Sequence, residues 1–145
     1  MSKQKVLVSA CLVGKNCKYN GKNNKNSAII DFLQDKEVFL VCPEVMGGLS
    51  IPRLKSEIKK INQQSFVYNE KNEDVTNNFL LGANKALQVA IDHQIDFAIL
   101  KQKSPSCGCG KIYNGEFNQT VIEGYGIFAH LLKEHNIHIL TEEDF

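Results

Sequence analysis

Three cysteines in this sequence, Cys11, Cys42 and Cys107, stand where they could share one metal centre. Each follows a short apolar run, and these runs cover residues 6–8, 38–41 and 97–100. If the runs are neighbouring parallel strands, the three thiolates meet at the carboxyl edge of one sheet, where open α/β sheets bind their ligands. Three soft ligands without an obvious fourth predict a metal or cluster with a vacant coordination position, which supports chemistry rather than scaffolding.

The other two cysteines, Cys17 and Cys109, have three possible roles: buried filler, metal ligation or a reactive thiol. Neither the spacing of Cys11 and Cys17 nor that of Cys107 and Cys109 matches a zinc knuckle, and no CxxC redox pair is present. The four histidines stand away from the cysteine segments, which disfavours a Cys–His nucleophilic pair. An iron–sulfur cluster therefore fits better than zinc, with a structural zinc module or a metal-free thiol enzyme as alternatives.

Glu44 is a candidate for proton transfer because it stands two residues beyond Cys42, which in extended geometry is the same side of the chain. A carboxylate beside a metal centre can move protons or position water. The structural alternative is that Glu44 caps a helix or turn, or forms an ion pair with Arg53, the only arginine of the chain. Ser104 and Ser106 flank a proline at the third cysteine, where a turn-forming role is the default for at least one of them.

An alternation of strands and helices must position these residues. Strands are predicted over residues 5–10, 37–42, 96–101 and 137–140, and a polar hairpin over residues 59–61 and 65–68. Helices are predicted over residues 28–34, capped by Ser27, over residues 77–93 and over residues 121–134. This alternation predicts one α/β domain spanning residues 1–145, a three-layer sandwich whose mainly parallel sheet is covered on both faces.

The composition restricts the partners. The chain has 145 residues, of which 43% are hydrophobic and 23% charged, and this length can bury one conventional core. The net charge of +1 disfavours non-specific electrostatic binding to nucleic acid, but it does not exclude RNA as a partner. Because no apolar stretch can cross a bilayer and no signal-peptide pattern opens the chain, we expect a cytoplasmic protein with reduced thiols and no membrane partner. We expect a monomer or a small homo-oligomer.

Four ordered motifs surround the candidate residues. The first two are SACLVGKNCKYNG at residues 9–21 and CPEVMGGLSIPR at residues 42–53. The third is DVTNNFLLGA at residues 74–83, and the fourth is KSPSCG at residues 103–108. In this order the motifs resemble the signatures of the thiouracil desulfurase (TudS-like) family, and the likeness extends from Val8 to about Leu132.

The resemblance implies a small Rossmann-like domain with a 4Fe-4S cluster held by Cys11, Cys42 and Cys107. It implies an enzyme that removes sulfur from 2-thiouracil or a related thiolated base, giving uracil and sulfide, with the substrate sulfur bound to the open iron. Glu44 matches the glutamate that is expected to assist catalysis. Ser104, with Ser106 as the alternative, matches a second functional position. Cluster-dependent sulfur transfer in RNA modification is the alternative activity.

Three positions depart from the family pattern. Lys18 and Asn20 replace its usual arginine and aspartate, and Lys55 replaces a proline. If either of the first two family residues contacts the substrate, the substrate of this protein can differ from free thiouracil, so that a nucleoside or a modified RNA stays open. Some relatives carry an apolar residue in place of Cys17, and Cys109 has no assigned role.

Overall fold

Strands and helices alternate along most of the chain, which a computed structural model describes over residues 3–145. The strands are β1 (Lys5–Ser9), β2 (Glu37–Val41), β3 (Ser56–Ile61), β4 (Gln64–Asn69), β5 (Phe97–Leu100), β6 (Cys109–Tyr113), β7 (Val121–Tyr125) and β8 (Ile139–Thr141). The helices are α1 (Ser27–Phe32), α2 (Pro43–Met46), α3 (Thr76–Asp92) and α4 (Ile127–Glu134). Three short 3-10 turns cover Ala10–Val13, Leu33–Asp35 and Glu142–Asp144.

The central sheet contains four strands in the order β2-β1-β5-β8, and all three neighbouring pairs run parallel. Alternate side chains point to opposite faces of the sheet. Leu7, Ala98 and Leu100 pack on one face with α3 and α4. Val6, Val8 and Ile99 pack on the other face with Ile29 of α1. The predicted three-layer α/β architecture with a parallel sheet is confirmed.

Two antiparallel hairpins stand outside this sheet. β3 pairs with β4, which confirms the predicted polar hairpin, and β6 pairs with β7. The prediction of one helix over residues 121–134 is wrong for its first part, because Val121–Tyr125 forms β7 and α4 begins only at Ile127. Gly126 precedes α4 with an extended backbone, so it separates the strand from the helix. β-Branched Val121 and Ile122 suit the pleated pairing with β6.

The start of α1 also differs from the prediction. Asn26, rather than Ser27, caps this helix, because its side-chain Oδ1 accepts the N–H of Ile29 at 3.1 Å. The helix continues only to Phe32 before the chain tightens into a 3-10 turn. Within residues 3–145, no helix combines the length and the apolar character that a membrane crossing requires.

Helix α2, which had no counterpart among the predicted elements, lies directly against α3. A Cβ atom at Gly82 of α3 would collide with the carbonyl oxygen of Pro43, and one at Gly47 would collide with the carbonyl oxygen of Asn78. The two backbones therefore approach each other without side chains between them. This contact fixes the position of α2 and of the residues at its start, Cys42 and Glu44.

Helix α4 anchors the segment that joins β5 to β6. The first N–H groups of a helix lack partners within the helix itself. Here the N–H of Ile127 donates to the carbonyl of Pro105 at 2.9 Å, and that of Phe128 donates to the carbonyl of Ser106 at 2.9 Å. The segment around Cys107 is thereby held at the amino end of α4.

Candidate functional site

A cavity of about 260 Å³ opens at the carboxyl edge of the parallel sheet. Its wall combines the residues that follow β1, β2 and β5, which are remote from one another in sequence. Cys11, Cys42 and Cys107 all line this cavity. The topology therefore brings together the three cysteines that the apolar runs singled out.

Each of these cysteines is placed by a different local structure. Cys11 lies in the 3-10 turn that directly follows β1, and Cys42 is the residue that precedes α2. Cys107 lies in the segment anchored on α4. Cys11 and Cys107 are buried, with 9% and 4% of their surface exposed, whereas Cys42 is half-buried.

Cys17 lies beside Cys42 on the same cavity wall. The Cys42 thiol reaches the backbone carbonyl of Cys17 at 3.7 Å when it is protonated. When Cys42 is a thiolate, it accepts a hydrogen bond from the Cys17 thiol, and this bond lowers the pKa of Cys42 below the ordinary range of thiols. The same bond, followed by burial, raises the pKa of Cys17. Burial raises the pKa of Cys11, and it raises that of Cys107 to about 12.

The carboxylate of Glu44 is held at both of its oxygens. Glu44 lies in the first turn of α2. Arg53, from the segment after this helix, donates from Nε to Glu44 Oε1 at 3.1 Å. The hydroxyl of Ser106 donates to Oε2 at 3.2 Å. The ion pair with Arg53, which the sequence left as the structural alternative, thus exists alongside a polar contact that links Glu44 to the Cys107 segment.

Ser104 and Ser106 have different surroundings. Ser104 Oγ accepts the backbone N–H of Ser106 at 3.1 Å and that of Cys107 at 3.0 Å. The two hydroxyl oxygens lie 3.0 Å apart. The direct contact with Glu44 belongs to Ser106, and Ser104 reaches Glu44 only through Ser106. The choice of Ser104 as a catalytic residue stays a prediction, and in this geometry its contribution passes through Ser106.

The remaining candidates divide between the cavity and the rest of the molecule. Lys18 and Lys55 line the cavity, whereas Asn20 does not and instead accepts the N–H of Lys22 at 3.0 Å in a turn. Cys109 is absent from the cavity wall and packs against the core shared with α3 and α4. Asn24 also lines the cavity, and no sequence motif had indicated it.

The donor set of the cavity suits an iron–sulfur cluster. Cys11, Cys42 and Cys107, which line the cavity together with Cys17, are free thiols, and thiolates are the ligands that such clusters use. Asn24 Nδ2 donates to Cys11 Sγ at 3.5 Å, as expected around sulfur that carries negative charge. Ser106 Oγ lies 3.6 Å from Cys107 Sγ, although its single proton is directed to the nearer Glu44 Oε2. Across residues 3–145, no three His, Cys, Asp or Glu side chains are grouped in the geometry of a single-ion site. A cluster binds its cysteines at separate irons, which does not require that grouping.

The fold and the cavity define a class: small α/β proteins with a cysteine-lined cavity at the carboxyl edge of a parallel sheet. The model of the 2-thiouracil desulfurase family matches residues 6–144, and the chain belongs to this family. A solved structure of the 4Fe-4S-dependent thiouracil desulfidase TudS is similar, with a TM-score of 0.89 and 39% identity over 99% of this chain and 93% of that chain. The uncharacterised protein YbbK of Bacillus subtilis (strain 168) is 37% identical, with 96% of each chain covered. The resemblance inferred from the four motifs is confirmed.

Proposed function

We propose that this protein removes sulfur from 2-thiouracil or a related thiolated base and gives uracil and sulfide. One observation carries the proposal: a single cavity is lined by the free thiols of Cys11, Cys42 and Cys107 together with Glu44 and Ser106. A protein that is 39% identical to this chain, TudS, is a 4Fe-4S-dependent thiouracil desulfidase. In the proposed reaction, water supplies oxygen to the ring carbon, the carbon–sulfur bond breaks, and the sulfur leaves as sulfide. No electrons are gained or lost overall.

Cys11, Cys42 and Cys107 would hold the 4Fe-4S cluster as thiolates. When bound, the cluster supplies an iron with a free coordination position, a Lewis acid that prefers sulfur to oxygen. Cys17 is not included among the ligands, because the motif resemblance assigns the ligand positions to the other three cysteines.

Glu44 is the proposed acceptor of the proton that water loses. Both acceptor positions of the Ser104 hydroxyl are occupied by backbone N–H groups, so its proton is directed to Ser106 Oγ. The proton of Ser106 is then available to Glu44 Oε2. This chain of hydrogen bonds ends on the carboxylate of Glu44, which leaves that carboxylate as the proton-accepting group of the network.

The cavity volume supports a small substrate. About 260 Å³ lies just below the usual range for ligand cavities, and because the cluster would share this space, the remainder suits no more than a single pyrimidine ring. Lys18 and Lys55 on the wall are compatible with a polar extension of that ring. The free base is therefore the first substrate to test, followed by the thiolated nucleoside and a thiolated RNA.

Anaerobic reconstitution with iron and sulfide, followed by a thiouracil assay, tests the proposal. We expect about four irons and four sulfides per chain, and release of uracil and sulfide in equal amounts. Cys11→Ser, Cys42→Ser and Cys107→Ser should lose both the iron and the activity. Cys109→Ser is the matched control, because Cys109 does not line the cavity, and it should keep both.

Three outcomes would reject the proposal. Binding of one zinc ion without sulfide would support the structural zinc module. Turnover by cluster-free protein would support a metal-free thiol enzyme. A fully loaded cluster that leaves the free base, the nucleoside and the RNA unchanged would reject desulfuration while leaving the cluster in place.

A further inference from the structure

Among the proposed cluster ligands, Cys11 has a side-chain amide directed at its sulfur. Asn24 Nδ2 donates to Cys11 Sγ at 3.5 Å, and both residues line the cavity. Cys109 provides a contrast within the chain, because no side chain of residues 3–145 makes a hydrogen bond to its sulfur. The amide donor is therefore a feature of this proposed ligand and not of every cysteine in the chain.

The loop after β1 folds back on its own start and thereby positions Asn24. The backbone N–H of Asn24 donates to the carbonyl of Cys11 at 2.9 Å, and that of Asn26 donates to the carbonyl of Leu12 at 2.9 Å. With its backbone held in this way, Asn24 places its side-chain Nδ2 3.5 Å from Cys11 Sγ. Backbone and side chain of Asn24 therefore both bind Cys11.

We propose that Asn24 is a positioning residue that hydrogen-bonds the ligating thiolate of Cys11 and thereby raises the reduction potential of the cluster. The inference rests on the cluster of the proposed function. Hydrogen bonds to the sulfurs are one of the factors that determine cluster potentials. A donor withdraws electron density from a thiolate and favours the more negative, reduced cluster, so its removal shifts the midpoint potential to a more negative value.

The test compares midpoint potentials of reconstituted variants by anaerobic spectroelectrochemistry. Asn24→Leu removes the donor at little change in volume and should shift the potential to a more negative value. Asn24→Gln retains an amide donor and should shift it less than Asn24→Leu. Cys109→Ser is the control outside the cavity and should leave the potential unchanged. Iron and sulfide counts confirm that equally loaded samples are compared.

Pulsed EPR of the reduced cluster gives a second measurement that does not depend on turnover. Exchange into deuterated water should reveal a strongly coupled exchangeable proton in the wild type that Asn24→Leu lacks. An unchanged potential together with unchanged proton couplings in Asn24→Leu would overturn the inference. A wild-type cluster that is inert toward thiouracil would reject only the desulfurase activity, whereas a wild type without any cluster would reject both.

Discussion

The guanidinium of Arg53 fixes the carboxylate of Glu44, because Nε donates to Oε1 across 3.1 Å. Both side chains are largely buried, with 7% of Arg53 and 16% of Glu44 exposed. Arg53 also donates from Nη2 to the carbonyl of Cys17 at 2.9 Å and from Nη1 to the carbonyl of Ser50 at 3.2 Å. One side chain therefore ties the candidate base to the loop that carries Cys17.

Arg53→Met should destabilise the protein, because it leaves the half-buried charge of Glu44 without its cation. We expect a loss of about 3 kcal/mol in the free energy of unfolding, measured by urea denaturation of the cluster-free protein. Arg53→Lys retains the positive charge but not the planar set of donors, so it should lose less stability than Arg53→Met. In a Glu44→Gln background, Arg53→Met should lower the free energy of unfolding by less than it does in the wild type. Equal losses of unfolding free energy in the two backgrounds would show that Arg53 and Glu44 are not coupled.

Glu44→Gln should separate turnover from cluster binding. The amide keeps the shape of the side chain and removes the proton acceptor, so we expect turnover to fall about a thousandfold. The visible absorption of the cluster and the iron content should match those of the wild type, since Glu44 is not among the proposed ligands. Turnover close to that of the wild type would remove Glu44 from the mechanism.

Ser106→Ala and Ser104→Ala should have different effects. Ser106 contacts Glu44 directly, so its alanine variant should lower turnover with little loss of stability. Ser104 accepts two backbone N–H groups, and its alanine variant should lower the free energy of unfolding by about 2 kcal/mol. Thermal unfolding and steady-state kinetics of the two variants make the comparison. A larger loss of turnover in Ser104→Ala at unchanged stability would assign the catalytic role to Ser104.

Alkylation of the cluster-free protein should depend on pH differently at Cys42 than at the other cysteines. The thiolate is the reactive form, and the thiolate fraction rises as the pH passes the pKa from below. Because the hydrogen bond from Cys17 lowers the pKa of Cys42, its iodoacetamide rate should reach half of its maximum below about pH 8.5, the ordinary thiol value. Burial raises the pKa of Cys107 to about 12, so that site should react only in strong alkali. Peptide mass spectrometry resolves the sites.

The donor behind this effect can be checked in the same assay. Cys17→Ala should move the Cys42 profile to higher pH, and Cys17→Ser should move it less, because serine keeps a donor. A Cys42 profile that is identical in Cys17→Ala and in the wild type would refute the hydrogen bond as the cause.

Gly82→Ala should push α2 away from α3. The new methyl group would meet the carbonyl oxygen of Pro43, which is backbone and cannot turn aside. We expect a loss of about 3 kcal/mol in the free energy of unfolding despite the better helix propensity of alanine. Asn84→Ala, on the exposed side of the same helix, is the matched control and should change stability by less than about 1 kcal/mol. A Gly82→Ala protein of wild-type stability would show that the contact between the two helices can relax.

Much of the architecture could be predicted from local patterns. The apolar runs before Cys11, Cys42 and Cys107 correctly indicated strands of one parallel sheet. For β1 and β5 the reason is burial, because buried parallel strands need continuous apolar sequence, whereas β2 is an edge strand and leaves Val38 and Leu40 exposed. The periodicity of residues 77–93 indicated α3 to within one residue at each end. The helix prediction was wrong for residues 121–125, because these residues are compatible with either a helix or a strand. Their pairing with β6 determines that they form a strand.

The sequence by itself determined which chemistry was available: soft sulfur ligands at strand ends, a carboxylate next to one of them, and hydroxyls next to another. Only the tertiary structure decided that Ser106 rather than Ser104 contacts Glu44, that Arg53 binds the other carboxylate oxygen, and that Asn24 binds Cys11. The physical reason is that residue type and local spacing govern strands, helices and ligand character. The partner of a hydroxyl, a guanidinium or an amide depends instead on which distant backbone segment the packing of α2 and α4 brings within hydrogen-bond distance.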